Sequence, residues 1–177
     1  MTTKGEQNKI EFSEAGKKRV EELLQRYPDK RSALIPVLNL AQAEFGWISE
    51  PVMVYVAGLL DLTPPKVYEV ATFYTLLNTR PVGRYVLQVC RTLPCALAGG
   101  GDLIAQLKRT LAIAPGETTA DGRFTLRLVE CLGSCGTAPA LQVNDTYFEN
   151  LTPAKVDRIL ADLRAEKTPV MKPMGEN

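Results

Sequence analysis

The chain has 177 residues, 45% hydrophobic and 23% charged, a composition that supports an apolar core and one or two compact domains. Lysine and arginine total 21 against 20 acidic residues, and this net charge of +1 gives no ground for nucleic acid or an anionic membrane surface as the main partner. There is no histidine, which excludes a Ser-His-Asp triad, a histidine general base, a Rieske centre and any histidine-containing zinc site.

Residues 1–12 read as an N-terminal tail. Their sequence, MTTKGEQNKIEF, holds no apolar h-region, and the longest apolar run, Val52 to Leu60, is nine residues, too short for a membrane helix. A cytosol-like, reducing compartment is therefore expected, where close cysteines signal metal or redox chemistry more often than structural disulfides.

Residues 13–78 read as a helical bundle. Val20, Leu23, Leu24 and Tyr27 form one apolar stripe behind Ser13, the expected N-cap. Leu34, Val37, Leu38, Ala41 and Phe45 form a second, with Ser32 as its expected cap, Pro36 in the first turn and Gly46 as C-cap. A third helix is expected from about Pro51 to Leu60, and a fourth from Pro64 to Leu77 behind Thr63. Such short connections imply antiparallel neighbours. Phe45, Trp47, Tyr55, Phe73 and Tyr74 are expected in the core of this unit or in inter-domain packing.

The turn-rich stretch Asn78 to Gly83 marks a boundary, and 84–166 read as a small mixed sheet with two helices in the order β-α-β-β-α. Arg84 to Val89 and Phe124 to Val129 are strands, and a helix with Leu103, Ile104, Leu107 and Leu111 follows Gly99 to Gly101. Ala140 to Val143 and Thr146 to Phe148 flank an Asn144-Asp145 hairpin turn, and Pro153 to Glu166 closes the domain as a helix. Residues 167–177 read as a flexible tail.

The four cysteines fall in two pairs: Cys90 and Cys95 have four residues between them, Cys131 and Cys135 three. Each pair begins just after a strand, in a loop containing glycine or proline. Adjacent strands would bring both loops together, and Gly133 and Gly136 would let backbone N–H groups approach sulfur. Four thiolates without histidine suit an iron–sulfur centre or zinc. Zinc ribbons favour two-residue gaps, thioredoxin-type dithiols require them, and scattered buried thiols would not pair in matching positions. An all-cysteine 2Fe–2S centre leads, with zinc left open. The triple glycine reads as a loop allowing tight packing beside such a site rather than as a phosphate cradle. Pro139 is a candidate cis proline, and Arg91 a candidate for offsetting cluster charge.

The segments SALIPVLNLAQAEFGWIS (Ser32 to Ser49), VYEVATFYTLL (Val67 to Leu77), VCRTLPCALAGG (Val89 to Gly100) and ECLGSCGTAPALQVND (Glu130 to Asp145) stand in the order found in one family. They resemble the small thioredoxin-fold 2Fe–2S subunit of NADH dehydrogenase (respiratory complex I), the E-subunit family of NADH-quinone oxidoreductase. The resemblance runs from about residue 10 to 165. It implies an α/β (α+β) protein: a helical bundle followed by a thioredoxin-like 2Fe–2S ferredoxin domain. It also implies that Cys90, Cys95, Cys131 and Cys135 bind one 2Fe–2S cluster, the metal and cofactor site, and that the chain has no catalytic residues of its own. FMN and NADH would sit on a partner flavoprotein subunit, with other complex I subunits nearby, and the chain would transfer single electrons in the peripheral arm on the cytoplasmic side. The same module serves NAD-linked hydrogenases and formate dehydrogenases, and a zinc-stapled scaffold is the non-redox alternative. On this reading N–H donors around Gly133, Ser134 and Gly136, with Arg91, stabilise the reduced state. Gly133→Pro or Gly136→Val would then strain the loop, and Arg91→Ala would lower the potential.

Overall fold

The computed structural model describes residues 10–166. They form two compact units that divide between Pro81 and Val82; the expected tail from 167 onward lies outside the described residues.

The first unit is helical: α1 (Glu14–Leu24), α2 (Leu34–Phe45), α3 (Glu50–Leu60) and α4 (Pro64–Phe73). Ser13 caps α1 by accepting from the Gly16 N–H, and Ser49 caps α3 by accepting from Val52. Ser32 does not cap α2. A 3-10 turn, Arg31–Ala33, precedes that helix, and the Asp29 carboxylate takes the Ser32 N–H at 2.8 Å instead. The stripes meet in a core built on Val20, Leu38, Val56, Leu60 and Val67.

Three further expectations for this unit need correction. Phe12, placed in the tail, is 2% exposed; its ring packs against Phe45 and Tyr55, and its N–H donates to the Tyr55 hydroxyl. Helix α4 ends at Phe73 rather than Leu77, because Gln42 binds the Leu76 carbonyl and the Asn78 N–H while Asn78 accepts from Ile48. These bonds draw the chain into a turn that buries Leu77. Phe73 is 76% exposed and so stands outside the core of this unit.

The second unit carries β1 (Tyr85–Cys90), a short turn α5 (Leu93–Cys95), α6 (Gly101–Leu111), β2 (Phe124–Val129), β3 (Leu141–Val143), β4 (Thr146–Phe148) and α7 (Pro153–Arg164). The strand order is β2-β1-β3-β4, with β1 parallel to β2 and the other two pairings antiparallel. Helix α6 makes the crossover that parallel pairing requires. Its Leu103, Leu107 and Leu111 join Leu87, Phe124, Leu126, Leu141, Leu160 and Leu163 in one core. The hairpin turn forms as expected: Asn144 adopts φ +50°, and its side chain ties the turn to β1 through the Val86 N–H and the Arg84 carbonyl.

The candidate iron–sulfur site

The register of β1 on β2 sets Cys90 opposite Val129, so both cysteine loops leave the same end of two adjacent parallel strands. The Arg91 N–H still reaches the Val129 carbonyl at 3.1 Å, extending the ladder one residue into the loop. The chain then turns through α5, whose Cys95 is as buried as Cys90; Ala140, Leu132 and Ala138 pack around them. Gly100 is the residue that makes this loop fit. A Cβ there would stand 2.7 Å from the Cys95 carbonyl oxygen, so only hydrogen lets the chain pass over the cysteine backbone. Of the three glycines, Gly100 alone makes a close approach; a Cβ at Gly99 or Gly101 would meet nothing within 4 Å.

The second loop is built differently. Cys131 and Cys135 are exposed, with sulfurs 3.8 Å apart. Gly133 takes φ +81°, which folds the loop and lets its N–H donate to the Cys131 sulfur at 3.3 Å. Below Cys135 the loop is braced from β4 onward: the Thr137 hydroxyl donates to Glu149, and the Asn150 N–H donates to the Thr137 carbonyl at 2.7 Å. The Ala138–Pro139 bond is cis. In sequence these bracing residues carried no signal, because Glu149 and Asn150 are twelve or more positions away from the residue they hold.

The thiols are electrostatically linked, and in each pair one is held low and the other pushed high. Burial raises Cys90, but the Thr92 hydroxyl and N–H, the Leu132 N–H and Cys95 outweigh it and hold this thiol below its ordinary value. Burial and the neighbouring Cys90 push Cys95 up, against the Ala140 N–H. The Gly133 N–H holds Cys131 low, whereas hydrogen bonding and charge from Cys131 push Cys135 up. N–H groups from both loops thus point at sulfur, an environment that favours negative charge there. Gly133 was expected among the donors; Thr92, Leu132 and Ala140 were not, and the only hint was the closeness of Thr92 to Cys90. Arg91 and Gly136, also singled out for this site, lie in other settings. Arg91 is tied to Glu130 of the other loop by Nε at 3.0 Å and by a second nitrogen. Gly136 has an ordinary φ, and a Cβ there would meet nothing within 4 Å.

The thioredoxin-like 2Fe-2S ferredoxin family matches residues 20–164. The chain belongs to this family. The second of the NADH-quinone oxidoreductase E subunits of Rhizobium meliloti (strain 1021) is 49% identical over 146 residues, 82% of this chain and 87% of that protein. The NADH-quinone oxidoreductase E subunit of Rickettsia bellii (strain RML369-C) is 46% identical over 147 residues, 81% and 88% of the two chains. Among solved structures, an NAD+-reducing NiFe hydrogenase in the H2-reduced state superposes with a TM-score of 0.69 at 24% identity. That match covers 81% of this chain and 25% of the hydrogenase chain, and it shows a shared fold.

The cofactor of the family is a 2Fe–2S cluster, and the donor set here fits it. Two sulfurs on one tetrahedral metal with bonds of about 2.3 Å stand about 3.8 Å apart, the separation found between Cys131 and Cys135. Among the described residues no three His, Cys, Asp or Glu side chains converge on a single metal ion. Soft sulfur donors and inward N–H groups complete a site suited to an anionic iron–sulfur centre.

Proposed function

We infer that this chain is the small electron-transferring subunit of an NADH:quinone oxidoreductase, an oxidoreductase complex, and that Cys90, Cys95, Cys131 and Cys135 hold its one 2Fe–2S cluster. The observation that carries this reading is the meeting of two thiol pairs at one end of β1 and β2, in a chain 49% identical to an NADH-quinone oxidoreductase E subunit. When bound, the cluster supplies one-electron transfer. The residues of the chain do the rest. Thr92, Leu132, Gly133 and Ala140 direct N–H groups at sulfur and so favour added negative charge. Leu132, Ala138 and Ala140 shield the Cys90–Cys95 side, while the Cys131–Cys135 side opens outward to a donor or acceptor.

The partner in this reading is a flavoprotein subunit that binds FMN and NADH. Exposed apolar side chains suit such a contact: Phe73 and Leu76 on the helical unit, Leu93 and Leu97 beside Cys95. No described helix is long and apolar enough to cross a membrane, in keeping with a place in the peripheral arm on the cytoplasmic side. A second reading, an NAD-linked hydrogenase, rests on the fold shared with the hydrogenase chain; the higher identity to the quinone-linked relatives favours the quinone-linked complex. The test is iron, sulfide and zinc content of anaerobically purified protein, with EPR before and after dithionite. About two irons and two sulfides, silent when oxidised and paramagnetic when reduced, are expected. One zinc that persists after iron–sulfide reconstitution overturns the assignment. Co-purifying subunits separate the two host complexes.

A further inference from the structure

The two thiol pairs differ in what can reach them. Cys90 and Cys95 are each 2% exposed, enclosed by Leu132, Ala138 and Ala140, and the Cys95 backbone is pinned beneath Gly100. Cys131 and Cys135 are exposed, and their sulfurs already face each other at 3.8 Å across a loop folded by Gly133. Closing that gap to a disulfide bond takes a movement of about 1.8 Å. The loop has open space at two of its positions: a Cβ at Gly133 or at Gly136 would meet nothing within 4 Å.

We propose that in the cluster-free chain Cys131 and Cys135 are an oxidative modification site, converted by peroxide to an intramolecular disulfide while Cys90 and Cys95 stay reduced, and that this bridge blocks cluster loading until it is reduced. One thiolate attacks hydrogen peroxide, the O–O bond breaks, and a sulfenic acid and one water form. The second thiol attacks the sulfenic sulfur, the S–S bond forms, and a second water leaves. Two thiols lose two electrons and the peroxide is reduced to two waters. The bridge occupies two of the four sulfurs, so iron finds only the enclosed pair. The blocking effect rests on the ligand assignment above; formation of the bridge does not.

The sequence makes the test direct. Trypsin leaves Cys131 and Cys135 in one peptide, Leu128–Lys155, and places Cys90 in Tyr85–Arg91 and Cys95 in Thr92–Lys108. The full-length chain, stripped of cluster anaerobically, is treated with stoichiometric hydrogen peroxide, alkylated under denaturing conditions and digested. Part of it is instead offered iron and sulfide, with or without prior treatment by a phosphine reductant. The expected result is a Leu128–Lys155 peptide lighter by about 2 Da, two hydrogens, alkylation of Cys90 and Cys95 only, and cluster uptake about fivefold or more below the reduced chain, restored by the phosphine. Cross-links between different cysteine peptides, sulfinic acids at these positions or four remaining thiols overturn the proposal. Equal cluster uptake by the bridged chain overturns the blocking effect. A fully reduced chain that takes up no cluster while the lighter peptide still appears overturns the ligand assignment and leaves the bridge established.

Discussion

The two cysteine loops start from the same end of neighbouring parallel strands, yet one is enclosed and the other open. The loop after β1 is a close-packed turn, with Gly100 lying over the backbone of Cys95 and apolar side chains around both thiols. The loop after β2 faces outward and is held by polar bonds from Thr137 to Glu149 and Asn150. Packing sets position and excludes water on one side; hydrogen bonds set position and permit access on the other. An electron-transfer site needs both, since the centre must be protected and still be within reach of its partner.

The sharpest way to break this contrast is to change one proposed ligand on each side. Cys95→Ser leaves an enclosed, harder oxygen donor with no solvent to take its place, whereas at exposed Cys135 water can complete the coordination of a serine variant. Cys95→Ser is therefore expected to retain at least about tenfold less iron than Cys135→Ser after anaerobic reconstitution. Equal retention would mean that burial does not distinguish the two loops.

Packing itself is tested at adjacent glycines. Gly100→Ala forces a Cβ to within 2.7 Å of the Cys95 carbonyl and is expected to cost about 1–3 kcal/mol in denaturant unfolding of the cluster-free chain. Gly101→Ala has open space at a helical position and should be neutral or stabilising by up to about 1 kcal/mol.

The open loop is tested at Gly133. Its φ of +81° makes Gly133→Ala cost about 1 kcal/mol. Gly133→Pro cannot adopt that backbone and also removes the N–H given to Cys131, so a redox titration should show a lower potential as well as reduced occupancy. Gly136→Val, with an ordinary φ and space around it, should leave both unchanged. A small effect is also expected for Arg91→Ala. The guanidinium is exposed and already paired with Glu130, so stability should move by no more than about 0.5 kcal/mol and the potential should stay where it is. A clear fall in potential would show that the ion pair does not cancel the charge felt at the site.

Much of the architecture was legible in the chain because it rests on local rules. Apolar periodicity marked the helices, β-branched runs the two long strands, and Asn144-Asp145 the hairpin, each governed by residues within a few positions of one another. The departures share one cause. Helix α4 stops at Phe73 because Gln42, far back in the chain, takes the bonds that a longer helix would have used. Phe12 leaves the tail because Phe45 and Tyr55 offer it an aromatic site.

For the site, the sequence by itself determined the chemistry: four thiols, no histidine, two short loops and the glycines that let them fold. It also identified the chain's family through segments spread across most of its length. Tertiary structure alone decided which pair is enclosed, which N–H groups face sulfur and that Arg91 pairs with Glu130. The set of available donors is a property of residue type and spacing, whereas burial, hydrogen-bond direction and ion pairing depend on residues that meet only when β1, β2 and the β4–α7 connection come together.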